Sequence, residues 1–112
     1  MDRSSIKQSL VLVLAMLVSQ GVLAAPDFWI DVRSQQEYDQ SHVSGAIRIS
    51  HEEIKAQIEE VTQDKDSEIY LYCGSGYRSG IAMSYLQSMG YTRVKNVGGL
   101  SDALELEASS KP

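Results

Sequence analysis

Short β-prone runs alternate with helical segments along this chain, with only a few residues between them, and no other feature restricts its fold as much. "FWIDV" (Phe28 to Val32) reads as a strand. "SQQE" (Ser34 to Glu37) has the spacing of a capping box and opens a short helix to about Ser41. "GAIRIS" reads as a second strand. "SHEEIKAQIEEV" begins with the same spacing, Ser50 and Glu53, and Ile54, Ile58 and Val61 then recur at helical intervals. Glu52, Glu53, Glu59 and Glu60 make its solvated face, and His51 in its first turn is expected in water. "EIYLYC" (Glu68 to Cys73) is almost continuously β-prone, as suits a strand covered on both faces. Ile81, Ala82, Tyr85, Leu86 and Met89 mark one face of a further helix that ends at Gly90. "RVKNV" is a last strand, and "GGLSDALELE" turns into a last helix before a frayed tail. Such alternation predicts a small α/β domain with a mainly parallel central sheet flanked by helices.

The first 24 residues stand apart from this pattern. Arg3 and Lys7 precede nine apolar residues, Leu10 to Val18, followed by the small-residue stretch "SQGVLAAP". That is the layout of a secretory signal peptide, 1–24, cut between Ala24 and Ala25. The apolar run falls short of the roughly 18 residues or more of a membrane span, so no stable membrane anchor is expected. The mature domain is then 25–112, in the periplasm. Loss of Arg3, Lys7 and Asp2 takes ten basic and fifteen acidic residues to eight and fourteen, a formal charge of −6. With no basic run left, nucleic acid is not an expected partner. Nothing in the surface pattern demands association, so a monomer is expected.

One cysteine in the whole chain cannot close an internal disulfide. Cys73 ends the β-prone run at a carboxyl end, where parallel sheets bind ligands. The next residues, Gly74-Ser75-Gly76-Tyr77-Arg78-Ser79, lead into a helix N-terminus. Unpartnered amides and the helix dipole there favour an anion, either a thiolate or a bound oxyanion. The glycines let the backbone curl around whatever the sulfur carries. Cysteines in such places have pKa values lowered to roughly 3.5–7.5, and the thiolate is the nucleophile. Arg78 is placed to face the loop mouth and hold an anionic substrate. A cysteine serving only as a small buried hydrophobe needs none of these neighbours.

The segments "WIDVRSQQEYDQSHVSGAIRIS", "YLYCGSGYRS" and "MGYTRVKNVGGL" resemble, in order, those of a single-domain rhodanese, a sulfurtransferase; the resemblance runs from about 28 to 106. Its specific parts are Asp31-Val32-Arg33, His42 to Ala46, and Cys73 with Gly76, Arg78 and Ser79. The resemblance implies that Cys73 is catalytic. Cys73 would take the outer sulfur of thiosulfate, a small anionic donor, as a persulfide and hand it to cyanide or another thiophilic acceptor. Residues 74 to 79 would bind substrate, and no metal or organic cofactor would be needed. Asp31 and Arg33 would pair to fix the strand end, and His42 would be structural rather than a base for Cys73. Many rhodaneses carry a tryptophan after the Gly98-Gly99 turn. Ala103 occupies that vicinity here, so the last helix is expected to pack loosely.

Two other readings remain open. A rhodanese-like domain can serve as a sulfur carrier or interaction module without turnover. Cysteine phosphatases of related fold set a longer run between cysteine and arginine than the four residues here, Gly74 to Tyr77. A tighter loop suits a bound sulfur better than a phosphoryl group, and the loop has no acid to protonate a leaving alkoxide. Two separated histidines and one cysteine give no metal-ligand spacing.

Overall fold

The computed structural model describes residues 25–110; the expected leader, 1–24, lies outside them. In chain order the described elements are β1 (Phe28–Asp31), α1 (Gln35–Gln40), β2 (Ile47–Arg48), α2 (Ile54–Val61), β3 (Glu68–Cys73), α3 (Tyr77–Ser88), β4 (Arg93–Gly99) and α4 (Leu100–Ser109). All strand pairs are parallel and the sheet order is β2-β1-β3-β4. The alternation predicted this architecture.

That strand order decides where a site can form. From β1 the chain crosses outward to β2, whereas from β3 it crosses the other way to β4. The connections leaving β1 and β3 therefore diverge, opening a crevice beyond the carboxyl ends of the two central strands.

Side chains on these strands alternate between two cores. Ile30, Val32, Ile69, Leu71 and Cys73 pack with Ile54 and Ile58 of α2 and with Ala82 and Leu86 of α3. Trp29 and Tyr72 face the other way, with Val43, Ala46 and Ala103 of α4, and Tyr38, Tyr70 and Leu106 close around them. The last helix closes this core through Ala103, which is fully buried, and Leu106, while an open groove lined by Lys95, Val97, Asp102, Glu105 and Ser109 remains between it and β4. Trp29 stands edge-on to Tyr70 in the same core, at 5.2 Å between ring centroids.

Local signals placed most helix ends. The Ser34 hydroxyl accepts from the Glu37 amide (3.2 Å) and Glu37 accepts from the Ser34 amide (3.1 Å), both halves of the expected box. At Ser50 the box does not form. Residues 51–53 make a turn, α2 starts at Ile54, and the Ser50 hydroxyl donates to the Glu53 carboxylate instead (2.7 Å). His51, expected in water, is half-buried and its Nδ1 has no partner. On α3 the covered stripe is Ser79, Ala82 and Leu86, while Tyr85 stays exposed.

The end of β1 is fixed by a buried ion pair. Asp31 is fully buried, and Arg33 reaches it through Nε (3.0 Å) and Nη2 (2.8 Å) while its amide also donates to the carboxylate (2.9 Å). Arg33 Nη2 goes on to the Ser41 carbonyl (2.6 Å), and the Val43 amide donates to the Tyr72 hydroxyl (3.0 Å). These bonds pin the α1–β2 connection to the central strands. Burial pushes the Tyr72 phenol up, and the adjoining Asp31 carboxylate adds to this, so the hydroxyl stays neutral. Removing one partner of such a pair strands a buried charge. Arg33→Ala should cost about 3–5 kcal/mol in urea unfolding, whereas Glu59→Ala, which breaks the longer surface contact to Lys65 (3.8 Å), should cost under about 1 kcal/mol.

Candidate active site

Cys73 is the last residue of β3 and Tyr77 the first of α3, so three residues turn the chain from sheet to helix. Gly76 makes the turn at φ +97°, a conformation that strains any side-chain-bearing residue. It directs its amide back at the cysteine, 3.0 Å from Sγ. The Ser79 hydroxyl stands 3.4 Å from the same sulfur. Only 1% of Cys73 is exposed, so Sγ meets its partners inside the protein.

Burial alone would push the thiol up. The Ser79 hydroxyl and the amides of Ser79, Ser75 and Gly76 outweigh it and bring the thiol down to about 7 from the ordinary 9.0. A large share of the sulfur is then thiolate at neutral pH, in a setting that suits a nucleophile.

The loop is braced from β4, which the sequence reading missed. Asn96 donates through Nδ2 to the Gly76 carbonyl (2.9 Å), and its Oδ1 accepts from the Gly98 amide (3.0 Å) and competes with Sγ for the one proton of the Ser79 hydroxyl, 2.7 Å away. A Cβ on Gly80 would lie 3.4 Å from Asn96 Nδ2, so this turn of α3 packs directly against the brace. Gly99 presses on the loop from the same side, where a Cβ would fall 2.5 Å from the Gly74 carbonyl oxygen. The approach is possible because register shifts between Leu71 and Cys73, which pair with Asn96 and Gly99. Bulges of this kind re-aim the chain next to functional sites. The one hint in the sequence was an asparagine in a β-prone run, where asparagine is depleted.

Arg78 lies over the loop rather than free at its mouth. Its Nη2 would be 3.3 Å from a Cβ on Gly74, and the guanidinium is held bidentately by Glu37 (2.9 and 3.2 Å). Those bonds, first of all, hold the Glu37 carboxyl at about 2 and raise Arg78 further. In the sequence Glu37 shows only its capping spacing, and nothing local announces a partner 41 residues along the chain.

The remaining candidates are separately placed. Tyr77 is 75% exposed at the head of α3. Asp31 and Arg33 satisfy each other at the end of β1. His42 is committed to α1, where its Nδ1–H donates to the Tyr38 carbonyl (2.7 Å) and its ring stacks on Tyr38 at 3.6 Å.

A parallel sheet carrying a strand-end thiol in a loop of inward donors defines an α/β protein with a cysteine anion site. The chain belongs to the family of the rhodanese-like domain, whose sequence profile matches residues 12–105. It is 46% identical over 92 residues to thiosulfate sulfurtransferase PspE of Escherichia coli (strain K12), covering 82% of this chain and 88% of the relative. A solved rhodanese with anions from E. coli superposes with a TM-score of 0.65 at 47% identity, over 67% of this chain and 88% of that one. The putative sulfur carrier protein YrkF of Bacillus subtilis is 34% identical over 68 residues, 61% of this chain but 36% of the relative.

Ser79→Ala removes the strongest of the groups that lower the thiol. The pH midpoint of Cys73 alkylation by iodoacetamide should rise by about 1–2 pH units. An unmoved midpoint would assign the lowering to the amides alone.

Proposed function

We propose that this protein is a rhodanese-type sulfurtransferase that takes sulfane sulfur from thiosulfate onto Cys73 and passes it to cyanide or another thiophile. The observation that carries the reading is the Gly76 amide aimed at a buried sulfur at the end of β3, with the Ser79 hydroxyl 3.4 Å from the same atom. Thiosulfate as donor is suggested by the relative PspE.

In the first half-reaction the Cys73 thiolate attacks the outer sulfur of thiosulfate. A new S–S bond forms, the donor's S–S bond breaks, and its electron pair leaves with sulfite. In the second, cyanide attacks the outer sulfur of the persulfide, thiocyanate leaves, and the thiolate returns. Neither half needs an external oxidant or reductant. The charge on sulfur is −1 as thiolate and −1 as persulfide, so the donors that hold one are matched to the other. Gly74 to Ser79 cradle the donor, Asp31 and Arg33 fix the strand end behind it, and His42 is structural.

The leader over 1–24, its removal after Ala24 and action as a periplasmic monomer belong to the same proposal, supported by the charge and apolar pattern of the sequence. The name of YrkF keeps one second reading in view, a carrier that loads sulfur without turning over.

Mass spectrometry after thiosulfate treatment separates these readings. A gain of one sulfur atom on Cys73, released by cyanide as thiocyanate, is the expected result, and Cys73→Ser should abolish it. Loading without turnover would select the carrier, and phosphate-ester hydrolysis without loading would select a phosphatase. The kcat/KM for thiosulfate should rise with pH through about 7 and then level, because the thiolate is the reacting form. It should also rise as added salt screens the protein's negative charge from a dianion.

A further inference from the structure

Arg78 is the loop's one cation, and Glu37 already occupies it. Both terminal nitrogens are engaged, Nη1 at 2.9 Å from one carboxylate oxygen and Nη2 at 3.2 Å from the other. The carboxylate cannot easily swing aside. Its Oε1 also accepts from the amide (3.1 Å) and hydroxyl (3.0 Å) of Ser34, so its release would open the N-terminus of α1. Nor is it remote. The Arg78 guanidinium it grips lies against Gly74, the residue next to the thiol. An arriving donor therefore meets a neutralised pair rather than a bare cation.

We infer that Glu37 is a specificity-determining residue that limits the charge a sulfur donor can bring to Cys73. By cancelling Arg78 it removes most of the advantage that a bare cation would give a dianion over a sulfane donor of lower charge. The inference rests on the sulfurtransferase reading of the same loop and adds to it how the site sorts donors by charge.

The physical case is Coulombic. A donor touching Arg78 lies within several ångströms of the Glu37 carboxylate, and both its attraction to Arg78 and its repulsion from Glu37 double when its charge goes from −1 to −2. The carboxylate therefore offsets most of the extra attraction that a bare Arg78 would give thiosulfate, and removing it should help thiosulfate about twice as much as a monoanion. An organic thiosulfonate, RSO2S−, presents the same kind of outer sulfur with one charge fewer. Its transfer balances in the same way: the thiolate forms the new S–S bond, the donor's S–S bond breaks, and the electron pair leaves with the sulfinate RSO2−. The two donors thus share the bond made and broken and differ in net charge, with the organic group as a further difference that wild-type protein controls for.

The test is Glu37→Gln, assayed with thiosulfate and with benzenethiosulfonate as donors and cyanide as acceptor. Glutamine is also a favoured third residue of a capping box, so α1 keeps its start. The KM for thiosulfate should fall about three- to tenfold, and that for benzenethiosulfonate by a distinctly smaller factor. Glu37→Asp, which keeps the charge, should show no such fall for thiosulfate. Wild-type protein gives a check that needs no variant: added salt should raise kcat/KM more for thiosulfate than for the thiosulfonate. An unchanged or higher thiosulfate KM in Glu37→Gln would overturn the inference and make Glu37 a residue that merely orients Arg78. Equal falls for both donors would overturn it as well. Wild-type protein that takes up sulfur from neither donor would overturn the sulfurtransferase reading itself, and the inference with it.

Discussion

A sulfur atom with almost no contact with water must carry negative charge for this site to work. Burial opposes the charge, and the Ser79 hydroxyl with the amides of Ser79, Ser75 and Gly76 reverses the balance. Such donors help only while they point at the sulfur, so their aim is the constraint that shapes the surroundings. Gly76 has to take a left-handed turn. Asn96 has to hold the Gly76 carbonyl away from the sulfur so that its amide can face it, and Gly99 has to come close enough to support Gly74. The register shift in β4 near Cys73 belongs to that arrangement. The turn and the shift are local departures from a regular strand or helix, at the one place where regular structure would leave the sulfur without donors.

The crevice at the ends of β1 and β3 is walled by two kinds of ionic contact. Deep at the β1 end, Asp31 and Arg33 make a dry pair in which the Arg33 amide, Nε and Nη2 all donate to the carboxylate. Buried pairs of this kind add little net stability over a hydrocarbon substitute, and here the pair, with the bond from Nη2 to the Ser41 carbonyl, ties the chain to one arrangement. Here that arrangement sets Ser34 at the crevice edge and the α1–β2 connection beside Tyr72. Nearer the surface, Glu37 and Arg78 join the β1 side of the crevice to the β3 side. The deep contact fixes where α1 begins, and the outer one uses that position to set the electrostatics of the loop.

Much of the fold was legible because the signals involved are local. The period of apolar residues, the Ser34–Glu37 cap and the glycines around Ser75 each act within a few residues. The α2 start was misplaced because Ser50 and Glu53 have capping-box spacing, yet in the folded chain the serine hydroxyl turns to the glutamate side chain and the helix begins one turn later. Contacts between distant segments left no comparable trace. Glu37 and Arg78 lie 41 residues apart, and Ser79 and Asn96 lie 17 apart. Sheet order brings both pairs together, so neither spacing has meaning before the topology is known.

The Glu37 carboxyl and the Cys73 thiol at this crevice also separate cleanly on the pH scale. Arg78, and then Ser34, hold Glu37 at about 2, below its ordinary 4.5. A lowered carboxyl favours the folded state fully above 4.5, and that contribution fades as pH falls through about 2. The thiol changes charge near 7. Glu37 and Arg78 therefore remain a fixed ion pair across the whole range in which Cys73 gains or loses its proton. The sulfur titrates against a constant electrostatic background, and what alters its charge is pH or reaction, never a rearrangement of the pair beside it. A donor that loads the sulfur leaves the same charge in place one bond further out. The cradle can thus pass through both halves of a transfer cycle without having to reverse any of its hydrogen bonds.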